Sequence, residues 1–184
     1  MNKMRYVSGL AALVVVLATA CTGSVEFSFG GQDPVEVAVE LIEGTAMAQR
    51  LGVDPISGVT CDDPPNQAVG TVFACRGESA GQQIDFDVLF DDEDSIFAGP
   101  TNVVDPAGLE RLENVAVEQL NSENGFQLPL EAMECGDGGV ILDAEMQMLC
   151  ALTEPDTGTV FDVLVTVTNT ESGAFSLVVV GEAE

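Results

Sequence analysis

Carboxylates and cysteines are nearly the only side chains in this chain that could do chemistry. It carries 31 Asp and Glu against five Lys and Arg, five Cys, and neither His nor Trp. The lone lysine, Lys3, and the lone tyrosine, Tyr6, sit at the extreme N-terminus. A chain that has lost its leader therefore has no histidine triad, histidine metal site or Schiff-base lysine available to it. Stacking platforms for sugars and bases are missing too, and Phe73 and Phe86 read as core residues. A paired-acid hydrolase needs two carboxyl groups facing each other in a cleft, one with a raised pKa. Asp85 and Asp87 share one face of a strand, but so does any solvent-facing pair. A carboxylate-based hydrolase is accordingly the third-ranked reading, and the expectation is that the chain is not an enzyme and uses no cofactor. Asp91-Asp92-Glu93-Asp94 could collect oxygen ligands for calcium, which makes a cation-dependent binding or sensing module the second reading. The cluster lacks the spacing and glycine of an EF-hand loop. A solvated acidic turn that discourages edge pairing is the simpler account. Gly136-Asp137-Gly138-Gly139 has neither the following lysine nor the helix of a phosphate loop.

The cysteines have a pattern. Ten residues separate Cys75 from Phe86-Asp87-Val88-Leu89, and ten separate Cys150 from Phe161-Asp162-Val163-Leu164. Each copy has a second cysteine upstream, Cys61 and Cys135, and opens on Asp-Pro, at Asp33-Pro34 and Asp105-Pro106. Two divergent copies of one unit thus fill most of the chain. Four cysteines allow three connectivities, and the duplication selects Cys61–Cys75 and Cys135–Cys150. Loops of this length closed by a disulfide are worth about 3 kcal/mol each in the chain-entropy model. Small units with thin cores need such staples. Cysteines held in bridges cannot act as thiolates, so a redox pair or metal site is not expected.

That leaves Cys21, directly after the small residues of Leu17-Ala18-Thr19-Ala20. Lys3 and Arg5 form a positive n-region, and Val7 to Ala20 is uncharged and mostly apolar. This run is shorter than the roughly 20 residues of a membrane-spanning helix, so it reads as a signal peptide over residues 1–20. The ending resembles the bacterial lipobox, in which the cysteine is acylated and becomes the mature N-terminus. The alternative is ordinary cleavage near Ala20 with a free thiol at Cys21. The lipobox is preferred because a free thiol in an oxidising compartment is a liability. The expected location is the extracytoplasmic face of the cell membrane, held there by lipid.

With Lys3 and Arg5 removed, only Arg50, Arg76 and Arg111 offset the 31 acidic residues. Nucleic acid is disfavoured as a partner because its backbone would be repelled. An anionic membrane surface would repel the chain as well, so only the lipid should hold it there. Hydrophobic residues make up 46% of the chain and are patterned, which points to folded domains with carboxylates outside rather than a disordered acidic tail. Such acidity also fits a saline habitat.

Two helices and two sets of strands must position these features. Residues 21–32 read as a tether, with Val25-Glu26-Phe27-Ser28-Phe29 either spacer or a first edge strand; spacer is preferred. Asp33, Pro34 and Glu36 make a capped helix start. Val35, Ala38, Val39, Leu41, Ile42, Thr45 and Ala46 continue it along one apolar face until Gly52. Residues 56–61 and 69–75 read as strands around a Pro-rich loop. Gln82 to Phe90 alternates, with Ile84, Phe86, Val88 and Phe90 inward. Ser95 to Ala98 is the last strand of the first unit, residues 33–98, and residues 99–104 are a linker. The second unit, residues 105–184, has a stripe of Leu109, Leu112, Val115, Ala116 and Leu120, terminated by residues 121–125. Gly108 replaces the capping-box glutamate there. Phe161, Val163, Val165 and Val167 point inward, and Ala174 to Val180 is the last strand. The fold class is α+β: a tandem repeat of a helix followed by three or four antiparallel strands, each unit with one disulfide.

Val59-Thr60-Cys61, then Gly70-Thr71-Val72-Phe73-Ala74-Cys75, then alternating strands, resembles a small secreted domain of unknown function found in actinobacterial lipoproteins. The resemblance covers about residues 35–98. The second copy keeps both cysteines and the Phe-Asp-Val-Leu strand but has Glu145 at the glycine position. The resemblance implies a lipid-anchored envelope protein with paired domains and brings no activity. The leading expectation is a non-enzymatic surface module that binds another envelope component.

Overall fold

The computed structural model of the chain describes residues 25–28, 32–124, 127–169 and 173–183. Asp33 caps the first helix, α1 (Pro34–Glu43), by accepting the Val35 N–H at 3.0 Å, with Pro34 in the first helical position. The single helix expected up to Gly52 is two. Gly44 takes an extended conformation (φ −63°, ψ 139°) and separates α1 from α2 (Thr45–Leu51). A glycine inside a helix costs about 1 kcal/mol relative to alanine, which lowers the barrier to this break. The break also rotates the buried face: Val37, Met47 and Leu51 are buried, whereas Ala46 is exposed. At Gly52 (φ 67°) the chain closes as a Schellman motif, Gly52 N–H to Gln49 O and Val53 N–H to Ala48 O.

β2 (Ser57–Cys61), β3 (Val72–Ser79), β4 (Gln82–Phe90) and β5 (Ser95–Pro100) form an antiparallel sheet with β1 (Val25–Ser28) on the outer edge of β5. Its order is β1-β5-β4-β3-β2. Residues 25–28, given to the tether on sequence, are therefore an edge strand, pairing Val25 with Ala98 and Ser28 with Ser95. β-branched and aromatic residues in alternation suit that role once a partner edge exists. Ile84, Phe86, Val88 and Phe90 point inward as expected and pack with Phe73, Ile96 and the apolar side of α1 and α2. Phe73 and Phe90 meet with ring centroids 5.7 Å apart. The β3–β4 hairpin turns through Ala80 and Gly81, both at positive φ, as a two-residue loop requires.

The presumed linker is structured. β5 runs to Pro100, and β6 (Val103–Val104) pairs with β8 (Val140–Ile141). α3 (Pro106–Asn124) begins with Asp105 Oδ1 accepting the Gly108 N–H at 2.6 Å. Leu109, Leu112, Ala116, Val117 and Leu120 are buried along it. Asn121 does not terminate the helix. Its side chain accepts the Leu128 N–H at 2.8 Å and donates to Leu128 O at 2.9 Å, pinning the loop that follows. A 3-10 turn (Leu130–Ala132) leads into β7 (Met133–Glu134). With β9 (Gln147–Thr153), β10 (Val160–Asn169) and β11 (Ala174–Glu182) it makes a second antiparallel sheet, ordered β11-β10-β9-β7. Val163, Val165 and Val167 are buried against α3, and Phe161 is half-buried.

The two Phe-Asp-Val-Leu tetrads are equidistant from their cysteines in sequence but not in the sheets. Cys75 faces Phe86, whereas Cys150 faces Val163. The second register is therefore slipped by two residues, accommodated by a longer turn between Thr153 and Val160. A two-residue slip keeps every side chain on its own face, so both cores survive it.

Backbone closeness joins the two halves. Gly139 N–H donates to Gly52 O at 2.8 Å, and a Cβ on Gly139 would lie 1.7 Å from Leu51 O. Gly138-Gly139 is thus where the second disulfide loop packs on the end of α2.

Candidate functional site

Cys61 and Cys75 are bridged across β2 and β3, and Cys135 and Cys150 across the end of β7 and β9, both with S–S distances of 2.02 Å. A helix glutamate serves the same region in each half: Glu43 Oε1 accepts the Val59 N–H at 3.1 Å, and Glu113 Oε1 accepts the Cys135 N–H at 2.7 Å. Cys21, the expected lipid attachment point, lies outside the described residues.

Asp91, Asp92, Glu93 and Asp94 occupy the exposed turn between β4 and β5. Asp92 Oδ1 accepts the Asp94 N–H at 2.8 Å. That bond, with smaller help from Ser95, holds the Asp92 carboxyl below the usual aspartate value. The carboxylates point outward from a turn that is already hydrogen-bonded to itself. Among the described residues, no three Asp, Glu, Cys or His side chains converge as metal ligands would.

Asp85 and Asp87 do not form an acid pair. Asp85 faces Arg76 across the β3–β4 ladder at 3.6 Å, with side chains 42% and 59% exposed. Such an exposed pair is worth little. Asp85 also accepts from Gln83 Nε2 at 2.8 Å. Its backbone is held by the linker: the Asp85 N–H donates to Asn102 Oδ1 at 2.9 Å, and the Thr101 N–H to Asp85 O at 2.8 Å. Asn102 Nδ2 in turn donates to Gln83 O at 3.0 Å. Asn102 therefore ties β4 to the junction, a role that its place in a presumed linker gave no reason to expect. A groove of about 610 Å³ opens beside it, between Gln82, Gln83 and Asp85 on one wall and Leu142, Asp143 and Met146 on the other. The side-chain amides of Gln83 and Asn102 are already bonded within the chain, so the groove offers shape more than chemistry.

The faces of the two sheets away from the helices carry the other feature. On β4 the outward positions are Asp85, Asp87 and Leu89; on β10 they are Asp162, Leu164 and Thr166. Leu89 lies between Val72 on β3 and Phe97 on β5, forming one cross-strand apolar row. Leu164 lies between Leu149 on β9 and Val178 on β11, forming a second. Val72 is 48% exposed, Leu149 58% and Val178 55%. The first row borders a groove of about 450 Å³ whose opposite wall includes Met146 and Thr168. Each row is centred on the leucine of a Phe-Asp-Val-Leu tetrad. The sequence signal is an apolar residue in the outward phase of an alternating strand, at both Leu89 and Leu164.

No family model matches the chain, and no curated protein or solved structure matches it significantly. No helix among the described residues is long and apolar enough to cross a membrane.

Proposed function

We propose that this chain is a non-enzymatic binding protein of the cell envelope, lipid-anchored at Cys21 on the extracytoplasmic face. We read it as two copies of one α+β unit displayed to an envelope partner. The matched strand orders, β5-β4-β3-β2 and β11-β10-β9-β7, support the duplication. So do the Asp-capped helix and the first-to-second-strand disulfide in each half. The resemblance to actinobacterial lipoprotein domains supports the anchor and the compartment.

One observation carries the binding reading: both sheets leave a cross-strand apolar row, centred on Leu89 and on Leu164, uncovered by their own helices. Leu89, Phe97 and Leu164 are half-buried and Val72, Leu149 and Val178 exposed, and apolar rows of this kind in a chain rich in surface carboxylate are costly unless another surface covers them. Complementary acidity around the rows repels nucleic acid and anionic lipid, leaving protein surfaces as the favoured partners.

Fractionation of a bacterial host tests the anchor. Wild type should sediment with membranes, and Cys21→Ala should appear as secreted or uncleaved material. Soluble wild type with a free Cys21 thiol overturns the anchor. Leu164→Asp should leave the anchored chain folded while removing its partner, and retained partner binding overturns the role of the row.

A further inference from the structure

We infer that the second disulfide is a redox-sensitive latch. The loop it closes, residues 136–149, is a strap that holds the first half of the chain and walls both grooves, and reducing Cys135–Cys150 lets that strap swing away. This latch acts whatever the apolar rows bind.

The two bridges span similar lengths, 14 and 15 residues, but their loops face different neighbours. The first loop bonds within its own half. Asn66 Oδ1 accepts the Ala68 N–H and the Thr71 hydroxyl, the Gly70 N–H donates to Phe90 O, and the Phe90 N–H donates to Thr71 O. The second loop reaches out of its half. Its Gly139 N–H donates to Gly52 O at 2.8 Å, and its Leu142 N–H donates to Asn102 O at 2.8 Å. Between them, Val140 and Ile141 pair with β6 in the junction. Ile141 packs against the core of the first half beside Val103, whereas Val140 packs against the core of the second.

The same loop builds the grooves. Leu142, Asp143 and Met146 form one wall of the 610 Å³ groove, and Met146 stands opposite Leu89 and Phe97 in the 450 Å³ groove. Met146 has φ 58°, a left-handed conformation that few residues other than glycine adopt. It is held there by donating its N–H to Asp143 O at 2.9 Å and accepting the Val167 N–H at 2.8 Å.

The bridge matters more to this loop than its counterpart does to the first. β2, which leads into the first loop, is five residues long, whereas β7 is two, paired through Met133–Leu152 and Glu134–Ala151. With the bridge open, the start of the strap keeps those two pairs and the Glu113 bond to the Cys135 N–H. A detached strap then gains the chain freedom that the closed loop denies it, so detachment is favoured. A dithiol reductant opens the bridge by exchange: its two thiols become a disulfide, and Cys135 and Cys150 each take up one electron and one proton. Both cysteines are buried, so exchange runs through the detached strap, and detachment and reduction promote each other.

The test uses the full chain with Cys21→Ala, exported so that both bridges form. Hydrogen exchange read by mass spectrometry compares Cys135→Ser with Cys150→Ser against Cys61→Ser with Cys75→Ser. Loss of the second bridge should speed exchange at Gly139, Ile141 and Leu142 about tenfold or more, with β4 and β10 still protected. Loss of the first bridge should leave the strap protected. A second measurement keeps both bridges: Gly139→Ala displaces the strap, and dithiothreitol should then reduce Cys135–Cys150 about tenfold faster or more, with Cys61–Cys75 unchanged. Should the second-bridge variant not fold, this reduction rate decides alone. Unchanged protection of the strap, equal loss from either bridge, or Gly139→Ala accelerating both reductions or neither each overturn the latch.

Discussion

Replacing Gly139 by alanine adds one methyl group where, among the described glycines, the space for one is smallest. Its Cβ would lie 1.7 Å from Leu51 O, 2.9 Å from Leu51 C and 3.3 Å from Val53 Cγ1. Carbon atoms pack at roughly 3.5–4.0 Å, so the second disulfide loop must withdraw from the end of α2. Withdrawal also breaks the 2.8 Å bond from Gly139 N–H to Gly52 O. Overpacking of this kind costs about 1–3 kcal/mol, and the hydrogen bond about 0.5–1.5 kcal/mol more. The total is about 2–4 kcal/mol. At 2–4 °C per kcal/mol for a chain of this size, Tm should drop by roughly 5–15 °C. Thermal and urea denaturation of the oxidised protein measure it. Gly99→Ala is the control, since its Cβ would meet only Phe97 Cε1 at an ordinary 3.6 Å. That variant should be neutral or slightly stabilising, by less than about 1 kcal/mol. A Gly139→Ala protein melting within about a degree of wild type refutes the packing of the loop on α2.

Removing either bridge, as Cys61→Ser with Cys75→Ser or Cys135→Ser with Cys150→Ser, should cost about 2–5 kcal/mol by denaturant titration; non-reducing peptide maps should contain only these two pairings. Asp92 should titrate below 3.8 by NMR, because the Asp94 N–H favours its charged form. A depressed folded pKa contributes stability that is present above the ordinary aspartate range and lost as pH falls through the folded value. The gap between wild type and Asp92→Ala should therefore exist at neutral pH and close in strong acid; a gap that widens in acid contradicts the assignment. Monovalent salt should raise Tm gradually by screening the −26 charge, with calcium adding nothing further at about 0.5 M NaCl. A saturable, salt-resistant calcium effect would favour a cation site in the turn after Phe90.

Features set by local chemistry were legible in the sequence. Strand β4 was bounded correctly because a period of two between Ile84 and Phe90 has one interpretation. The start at Asp33-Pro34 was legible because capping needs only neighbouring residues. The disulfides followed from the spacing. Features set by distant partners were not legible. Residues 25–28 become a strand only because β5 lies beside them. The pull of Gly138-Gly139 on the fold comes from the backbone of Leu51 and Gly52, far away in sequence. The two-residue slip of β10 was invisible because it leaves the inward and outward sets unchanged. The helix break at Gly44 was masked by apolar residues that continue on both sides. Of the candidate site, the cysteines and the acidic turn were readable. Leu89 and Leu164 stood in plain view inside the repeated tetrad, but only the register shows that each has apolar neighbours on both flanking strands.

Site-directed photo-cross-linking in cells that carry this chain natively tests the binding account most directly. A photoreactive residue would replace Leu89 or Leu164 on the open faces, or Gln49 on the exposed side of α2. Adducts to an envelope protein from positions 89 and 164, with none from 49, are the predicted result. Adducts from position 49 alone, or from no position in a correctly anchored and folded chain, would contradict it.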